Sequence, residues 1–243
     1  MHGGKYDDDV SGYELIQELV KEARIEELKE VRKRNLYTKV PMQECRNITG
    51  RDPIGTRWVD THKEDSAHPE YRSILVAPEI KAYKREAMFA ATPPLEAKQR
   101  LLSLATTRGI GWDPKWKKSM KLDFKNVRRA YFHAMARRSI YVARPEEYRQ
   151  EGQCGRLNNA MYGTRDAAQH WESAYIACVE SVGFRKGRAT PCVFYHQANN
   201  LRVTVHGVDF TVLGLEESLN WFRRMISNRY EVKSCGRIGP NRE

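Results

Sequence analysis

Cysteine pairs, long apolar runs and glycine-rich phosphate loops are all missing from this chain, and each absence removes a class of function. Its five cysteines (Cys45, Cys154, Cys178, Cys192 and Cys235) are odd in number, widely spread and never arranged as CxxC. Neither a disulfide framework nor a zinc site is indicated, and the simplest setting for such a chain is reducing and intracellular, cytoplasmic or nuclear rather than secreted. No apolar run reaches the roughly 18 residues that a membrane-spanning helix needs. The opening MHGGKYDDDVSGYE lacks the basic-then-apolar order of a secretory signal. No Gly-x-Ser-x-Gly nucleophile elbow occurs, and GRIGP near the end reads as turn chemistry rather than a dinucleotide fingerprint. His133, His170, His196 and His206 show neither metal-ligand spacing nor a paired acid. Internal repeats and low-complexity segments are also absent.

At 243 residues and 40% hydrophobic, the chain has material for one large core or two lobes. Its 42 Lys+Arg against 31 Asp+Glu give a formal net charge of +11, which favours polyanionic partners, nucleic acid first and an anionic membrane surface second.

Hydrophobic periodicity places the elements. Residues 1–12 read as a disordered, acidic lead-in. From Tyr13 to about Arg34, apolar residues recur at helical spacing among many charges, as in an amphipathic packing helix. RDPIGTRWVDTHKED and EYRSILVAPEI read as two strands of a hairpin with an irregular loop around Ala67, His68 and Pro69. PLEAKQRLLSLATTRGIG reads as a helix with Leu95, Leu101, Leu102 and Leu104 on its apolar face. A strand at Leu122–Val127 follows, then a helix across NAMYGTRDAAQHWESAYIACVESVGF, short strands at CVFYH, LRVTVHG and FTVLG, and a last helix EESLNWFRRMISNRYEV. This order implies an α+β fold with an antiparallel sheet.

Four blocks in sequence resemble the reverse transcriptase domain of copia-type retrotransposons, the retrovirus-related Pol polyproteins. IGTRWVDTHKED with YRSILVAPEI resembles the fingers hairpin, usually carrying a Lys/Arg-x-Arg-Leu-Val-Ala-Arg string. FAATPPLEAKQRLLSLATTRGIG resembles the helix leading into the palm. NVRRAYFHAMARRSIYVARPEEY is similar to the Asp-Val-x-x-Ala-Phe/Tyr block with its trailing IYV-x-x-P. LNNAMYGTRDAAQHWESAYIACVESVGF resembles the Leu-Tyr-Gly helix block, and VTVHGVDFTVLG the Asp-Asp hairpin. The resemblance covers roughly residues 50–240. It implies a palm (about 120–243) and a fingers hairpin (about 50–85) within a domain at 50–243, preceded by a tail and helix at 1–49. A thumb is expected to be lacking and the domain truncated.

The resemblance also implies RNA-directed DNA polymerase chemistry on an RNA/DNA primer-template. Two Mg²⁺ ions would then lie between the primer hydroxyl and the nucleotide phosphates, lowering the hydroxyl pKa and neutralising the transferring phosphoryl group. Magnesium requires hard oxygen ligands, supplied in the family by three aspartates. Here the first falls on Asn126, the second on Val208 and the third on Asp209. Of three charges one remains, so the expectation is a catalytically impaired enzyme with doubtful Mg²⁺ binding, Asp209 being the sole metal ligand. Asp123 lies three residues before Asn126, and an odd offset in a strand aims it at the opposite face. Ile74 and Pro78 replace expected fingers arginines, while Arg72 remains; a proline within the second strand would remove a ladder donor.

By the same resemblance Tyr131 sits at the aromatic position under the incoming sugar, and Arg72 and Gln169 border the nucleotide. Arg128, Arg129, Arg137 and Arg138, interleaved with aromatics, suit contact with phosphate and bases, although a solvated charged face is the plainer account of any one of them. Gly163 fits a close-packing or capping position. Two other readings stay open: a non-catalytic basic nucleic-acid-binding remnant, and a decayed reading frame with no selected role.

Overall fold

A computed structural model describes residues 5–63, 70–80, 90–115 and 118–239. In chain order the elements are α1 (Gln17–Lys33), β1 (Tyr37–Pro41), α2 (Met42–Thr49), β2 (Arg57–Lys63), β3 (Glu70–Val76), α3 (Leu95–Thr106), β4 (Lys121–Val127), β5 (Tyr141–Val142), β6 (Gln153–Leu157), α4 (Ala167–Ser181), β7 (Arg185–Lys186), β8 (Val193–His196), β9 (Leu201–His206), β10 (Asp209–Gly214), α5 (Glu216–Arg229) and β11 (Val232–Ile238). Short 3₁₀ turns occupy Ala130–His133 and Glu146–Tyr148. The architecture is mixed α and β with antiparallel sheets, as the element order implied. No helix among the described residues is long and apolar enough to cross a membrane.

The chain divides into two compact units, residues 1–88 with 134–170, and 89–133 with 171–243.

In the first unit β2 and β3 form the expected hairpin, from Arg57↔Val76 to Lys63↔Glu70. Its loop lies outside the described residues. A second sheet has the order β1-β6-β5. The helix α1 buries Val20, Leu28 and Val31, and its Arg24 reaches Asp60 of β2, which also accepts from Ser73 Oγ at 2.6 Å. The lead-in is ordered from residue 5, which corrects the expectation of disorder there. The Asp8 carboxylate accepts from the backbone N–H of Val10, Ser11 and His62, and the Asp9 carboxylate from that of Asp60. These aspartates satisfy donors along β2 that its hairpin partner leaves open, a role that composition alone does not reveal.

Pro78 lies beyond β3 rather than within it. Ala77 N donates to Tyr162 O and Glu79 N to Gly163 O, so the backbone donors flanking the proline make the bonds. With alternation along an extended segment, the missing N–H of Pro78 falls on the side that needs none.

The second unit is built on one antiparallel sheet in the order β11-β4-β10-β9-β8-β7. One face packs a core of Trp171, Tyr175 and Val179 from α4 and Leu219, Phe222 and Ile226 from α5 against Phe194, Val203, Val205, Phe210 and Val212. The other face meets α3 through Leu101, which clusters with Met120, Leu122 and Leu213. Only part of the expected α3 stripe is buried: Leu95 and Leu102 are 66% and 52% exposed. Leu104 and Ala105 follow Leu101 at the helical i+3 and i+4 spacing and pack beside it, whereas Leu95 and Leu102 fall off that face.

Two further boundaries differ from the sequence reading. The fourth helix starts at Ala167 rather than near residue 159, because Asn158–Asp166 carries turns, including Gly163 at φ +89°. The last helix stops at Arg229, and β11 follows as a largely exposed edge strand. Its polar sequence VKSCGRI lacks the alternation that marks a half-buried strand.

Candidate functional site

The strands β9 and β10 are joined by Gly207 and Val208, with His206 directly opposite Asp209. Gly207 takes φ +60°, which a glycine adopts without steric cost, at the first position of a two-residue loop. Two contacts fix this turn. Trp171 Nε1 donates to the Gly207 carbonyl at 2.9 Å, and Val127 N donates to the Val208 carbonyl at 3.0 Å. The Val208 side chain packs against the core and presents no polar atom.

Asp209 lies opposite Asn126 of β4, and Asn126 lies opposite Lys233 of β11. Asn126 Nδ2 donates to Asp209 Oδ1 at 2.8 Å. From α3, Lys98 Nζ approaches His206 Nδ1 at 3.1 Å. Directly paired residues on neighbouring strands carry their side chains on one face, about 5 Å apart at Cβ. His206, Asp209, Asn126 and Lys233 therefore make one row across β9, β10, β4 and β11, with Lys98 beside it.

Asp123 belongs to the opposite face, as the odd offset required. It is 1% exposed and accepts from Lys125 Nζ at 2.8 Å and Arg237 Nη2 at 2.7 Å. Its oxygens are held by those cations within the sheet and cannot serve the row containing Asn126. Among the described residues no group of three or more His, Cys, Asp or Glu is placed to hold a metal ion. One carboxylate, one amide and one valine do not fit a two-magnesium site.

The other residues singled out are distributed over both units. Tyr131 belongs to the second unit, in the 3₁₀ turn after β4, packed against the core, and burial pushes its phenol above the ordinary range. Arg128 and Arg129 approach the carboxylate of Glu231 at 3.6 and 3.9 Å. Arg72 and Gln169 belong to the first unit. Arg72 is exposed on β3, and Gln169 is half-buried on α4. Arg137, also in the first unit, is exposed. Arg138 is the hub of a half-buried cluster: its guanidinium donates to both carboxylate oxygens of Glu79 and both of Asp166. Burial, the largest single effect, pushes the Glu79 and Asp166 carboxyls upward, yet the hydrogen bonds and the charge of Arg138, with the Arg165 N–H on Glu79 and His170 beside Asp166, together hold both below the usual range. In this arrangement the Arg138 guanidinium is engaged by two carboxylates.

Sequence reasoning missed Lys98 and Lys233. Lys98 lies within the block read as the helix leading into the palm but was not singled out there, Lys233 lies outside every block, and only strand register and helix packing bring them to the hairpin.

Residues 42–240 match the family described as Reverse transcriptase (RNA-dependent DNA polymerase). A retrovirus-related Pol polyprotein from transposon TNT 1-94 of Nicotiana tabacum is 22% identical over 224 residues, covering 87% of this chain. The chain spans 16% of that relative's length.

Proposed function

The chain belongs to the reverse transcriptase (RNA-dependent DNA polymerase) family, and we propose that it is the reverse transcriptase domain of a copia-type element whose metal-dependent chemistry is disarmed. In this reading the second unit corresponds to the palm, the β2–β3 hairpin to the fingers, and the β9–β10 turn to the place where an active member holds its metals. RNA/DNA primer-template is the substrate by descent. When bound, paired magnesium ions would supply activation of the primer hydroxyl and neutralisation of the transferring phosphoryl group.

The observation that carries this reading is the 2.8 Å hydrogen bond from Asn126 to Asp209. In place of two carboxylates sharing a cation, an amide donates to the one carboxylate that remains. The amide nitrogen occupies a direction from which a metal would approach Asp209, and the amide brings no negative charge to offset a divalent ion. Val208 contributes no ligand, and Asp123 is held by Lys125 and Arg237 on the opposite face. This chain's residues can still shape and support the turn, but they do not present the carboxylates that would hold a pair of magnesium ions there.

The test is primer extension on an RNA template with Mg²⁺ and with Mn²⁺, comparing the native chain with one carrying Asn126→Asp and Val208→Asp. Extension by the restored chain alone is the expected result. Robust Mg²⁺-dependent extension by the native chain would overturn the proposal.

A further inference from the structure

The segment ARRSI, residues 136–140, sets two arginines directly before a serine. It runs between two fixed points of the first unit: Ala136 N donates to Asn158 O, and Leu157 N donates to Ile140 O. Residues 137–139 between those points belong to no helix or strand, and Arg137 and Ser139 are exposed. The Ser139 hydroxyl makes no hydrogen bond among the described residues, so esterifying it breaks no contact of the fold.

Ser139 also lines a cavity of about 770 Å³ that lies wholly within the first unit. The ionic side chains on its wall fall into two sets. Asp52 is paired with Arg46 at 2.8 Å, and Glu79 with Arg138. Arg51 and Arg165 pair with no carboxylate among the described residues. Two guanidiniums without acids therefore share one concave wall with a free hydroxyl. A phosphoryl group on that hydroxyl carries a charge of about −1.5 to −2 at pH 7 and three strong acceptor oxygens. The planar fork of a guanidinium matches such a group with two parallel hydrogen bonds, which an ammonium does not. The arginine ahead of the serine and the arginines around the cavity are separate features of the chain, and both suit the same modification.

We propose that Ser139 is a phosphorylation site for a serine/threonine protein kinase that selects basic residues ahead of its target, and that Arg51 and Arg165 hold the phosphoserine. The site is independent of the metal chemistry of the β9–β10 turn. In the transfer, Ser139 Oγ attacks the γ-phosphorus of a nucleoside triphosphate held by the kinase. The bond from that phosphorus to the bridging oxygen breaks, a nucleoside diphosphate leaves, and the hydroxyl proton passes to the kinase's catalytic aspartate. Arg137, exposed and two residues before the serine, is the residue the kinase reads; Arg138 stays with Glu79 and Asp166. Once formed, the phosphate ties the segment after α2, which carries Arg51, to the turn before α4, which carries Arg165.

The experiment incubates the full chain with ATP, Mg²⁺ and a kinase of that class, and maps the product by peptide mass spectrometry. One phosphoryl group at Ser139 is expected. Ser139→Ala should lose that label, and Arg137→Ala should lower kcat/KM for modification several-fold. Thermal denaturation then reads the docking. The phosphorylated chain should melt higher than the unmodified one, and the rise should vanish in the phosphorylated chain carrying Arg51→Gln and Arg165→Gln. Neither arginine makes an ion pair to lose, so the unmodified double variant should melt close to the native chain; each single variant should remove part of the rise. Label confined to other residues would overturn the site. A phosphoserine that leaves the melt unchanged, or raises it equally without the two arginines, would overturn their role in holding it.

Discussion

The indole of Trp171 is 1% exposed and donates through Nε1 to the carbonyl of Gly207 at 2.9 Å, tying α4 to the turn that carries Val208 and Asp209. The same ring lies edge-on to Tyr230, with centroids 5.0 Å apart. The hairpin is therefore positioned by the core beneath it as well as by its own strand pairing.

Replacing Trp171 with Phe should cost about 2 kcal/mol or more, combining a lost hydrogen bond with a smaller ring in a filled core. Urea denaturation measures the loss. Hydrogen exchange at the Val127 and Asp209 amides should quicken locally if the indole supports the turn.

Asp123 and Lys125 form a buried ion pair at 2.8 Å, with side chains 1% and 2% exposed. Substituting Asp123→Asn removes the charge that compensates Lys125 and Arg237, and destabilisation of about 3–5 kcal/mol is expected. Asp123→Leu with Lys125→Met should recover much of the loss, because two apolar groups carry no desolvation penalty and Arg237 keeps Glu216 as its partner. Chemical denaturation of the single and double variants distinguishes pairing from packing.

Gly163 has φ +89°, and a Cβ there would stand 2.7 Å from the Ala77 carbonyl oxygen. Both backbone strain and a clash with main chain oppose any larger residue. Gly163→Ala should lower stability by about 1–3 kcal/mol or more, read as a shift in the denaturation midpoint.

His170 sits beside Asp166 at 3.4 Å, and its Nδ1 has no hydrogen-bond partner among the described residues. Burial holds its imidazole below the ordinary value of 6.5; the Asp166 carboxylate opposes this, and the nearby Arg137 and Arg138 reinforce it. The unfolded chain therefore takes up this proton at a higher pH than the folded one. The stability it represents is present above pH 6.5 and is lost as the pH falls toward the depressed folded value. His170→Gln should remove this part of the acid sensitivity, so the fall in denaturation midpoint from about pH 7.5 to about 5.5 is smaller in the variant.

The hairpin β2–β3, the strand β4 and the β9–β10 hairpin are legible because local pattern and tertiary environment agree. Arg57–Lys63 carries β-branched and aromatic residues, and Leu201–His206 alternates before a glycine turn. The placement of Asp123 away from Asn126 also follows from strand periodicity alone. Edge elements are less legible. The β11 strand lacks an apolar stripe, since it is tied to the sheet by ladder bonds and by Arg237, which donates to Asp123 and Glu216. Asp8 and Asp9 read as solvated charges, although each accepts a backbone N–H from β2, and those donors lie about fifty residues away in sequence.

The residue types at Asn126, Val208 and Asp209 determine from sequence alone that these three positions offer one carboxylate, one amide and no ligand atom at the valine, because ligand chemistry belongs to the side chain whatever surrounds it. Periodicity likewise determines the order of the main strands and helices, because each element must bury one face. Only the tertiary structure decides what becomes of the remaining acid. Strand register sets Asn126 against Asp209 and Lys233 beside them, and the packing of α3 brings Lys98 to His206. Pairings over such separations depend on how the sheet and its helices assemble, and no local pattern in the chain encodes them.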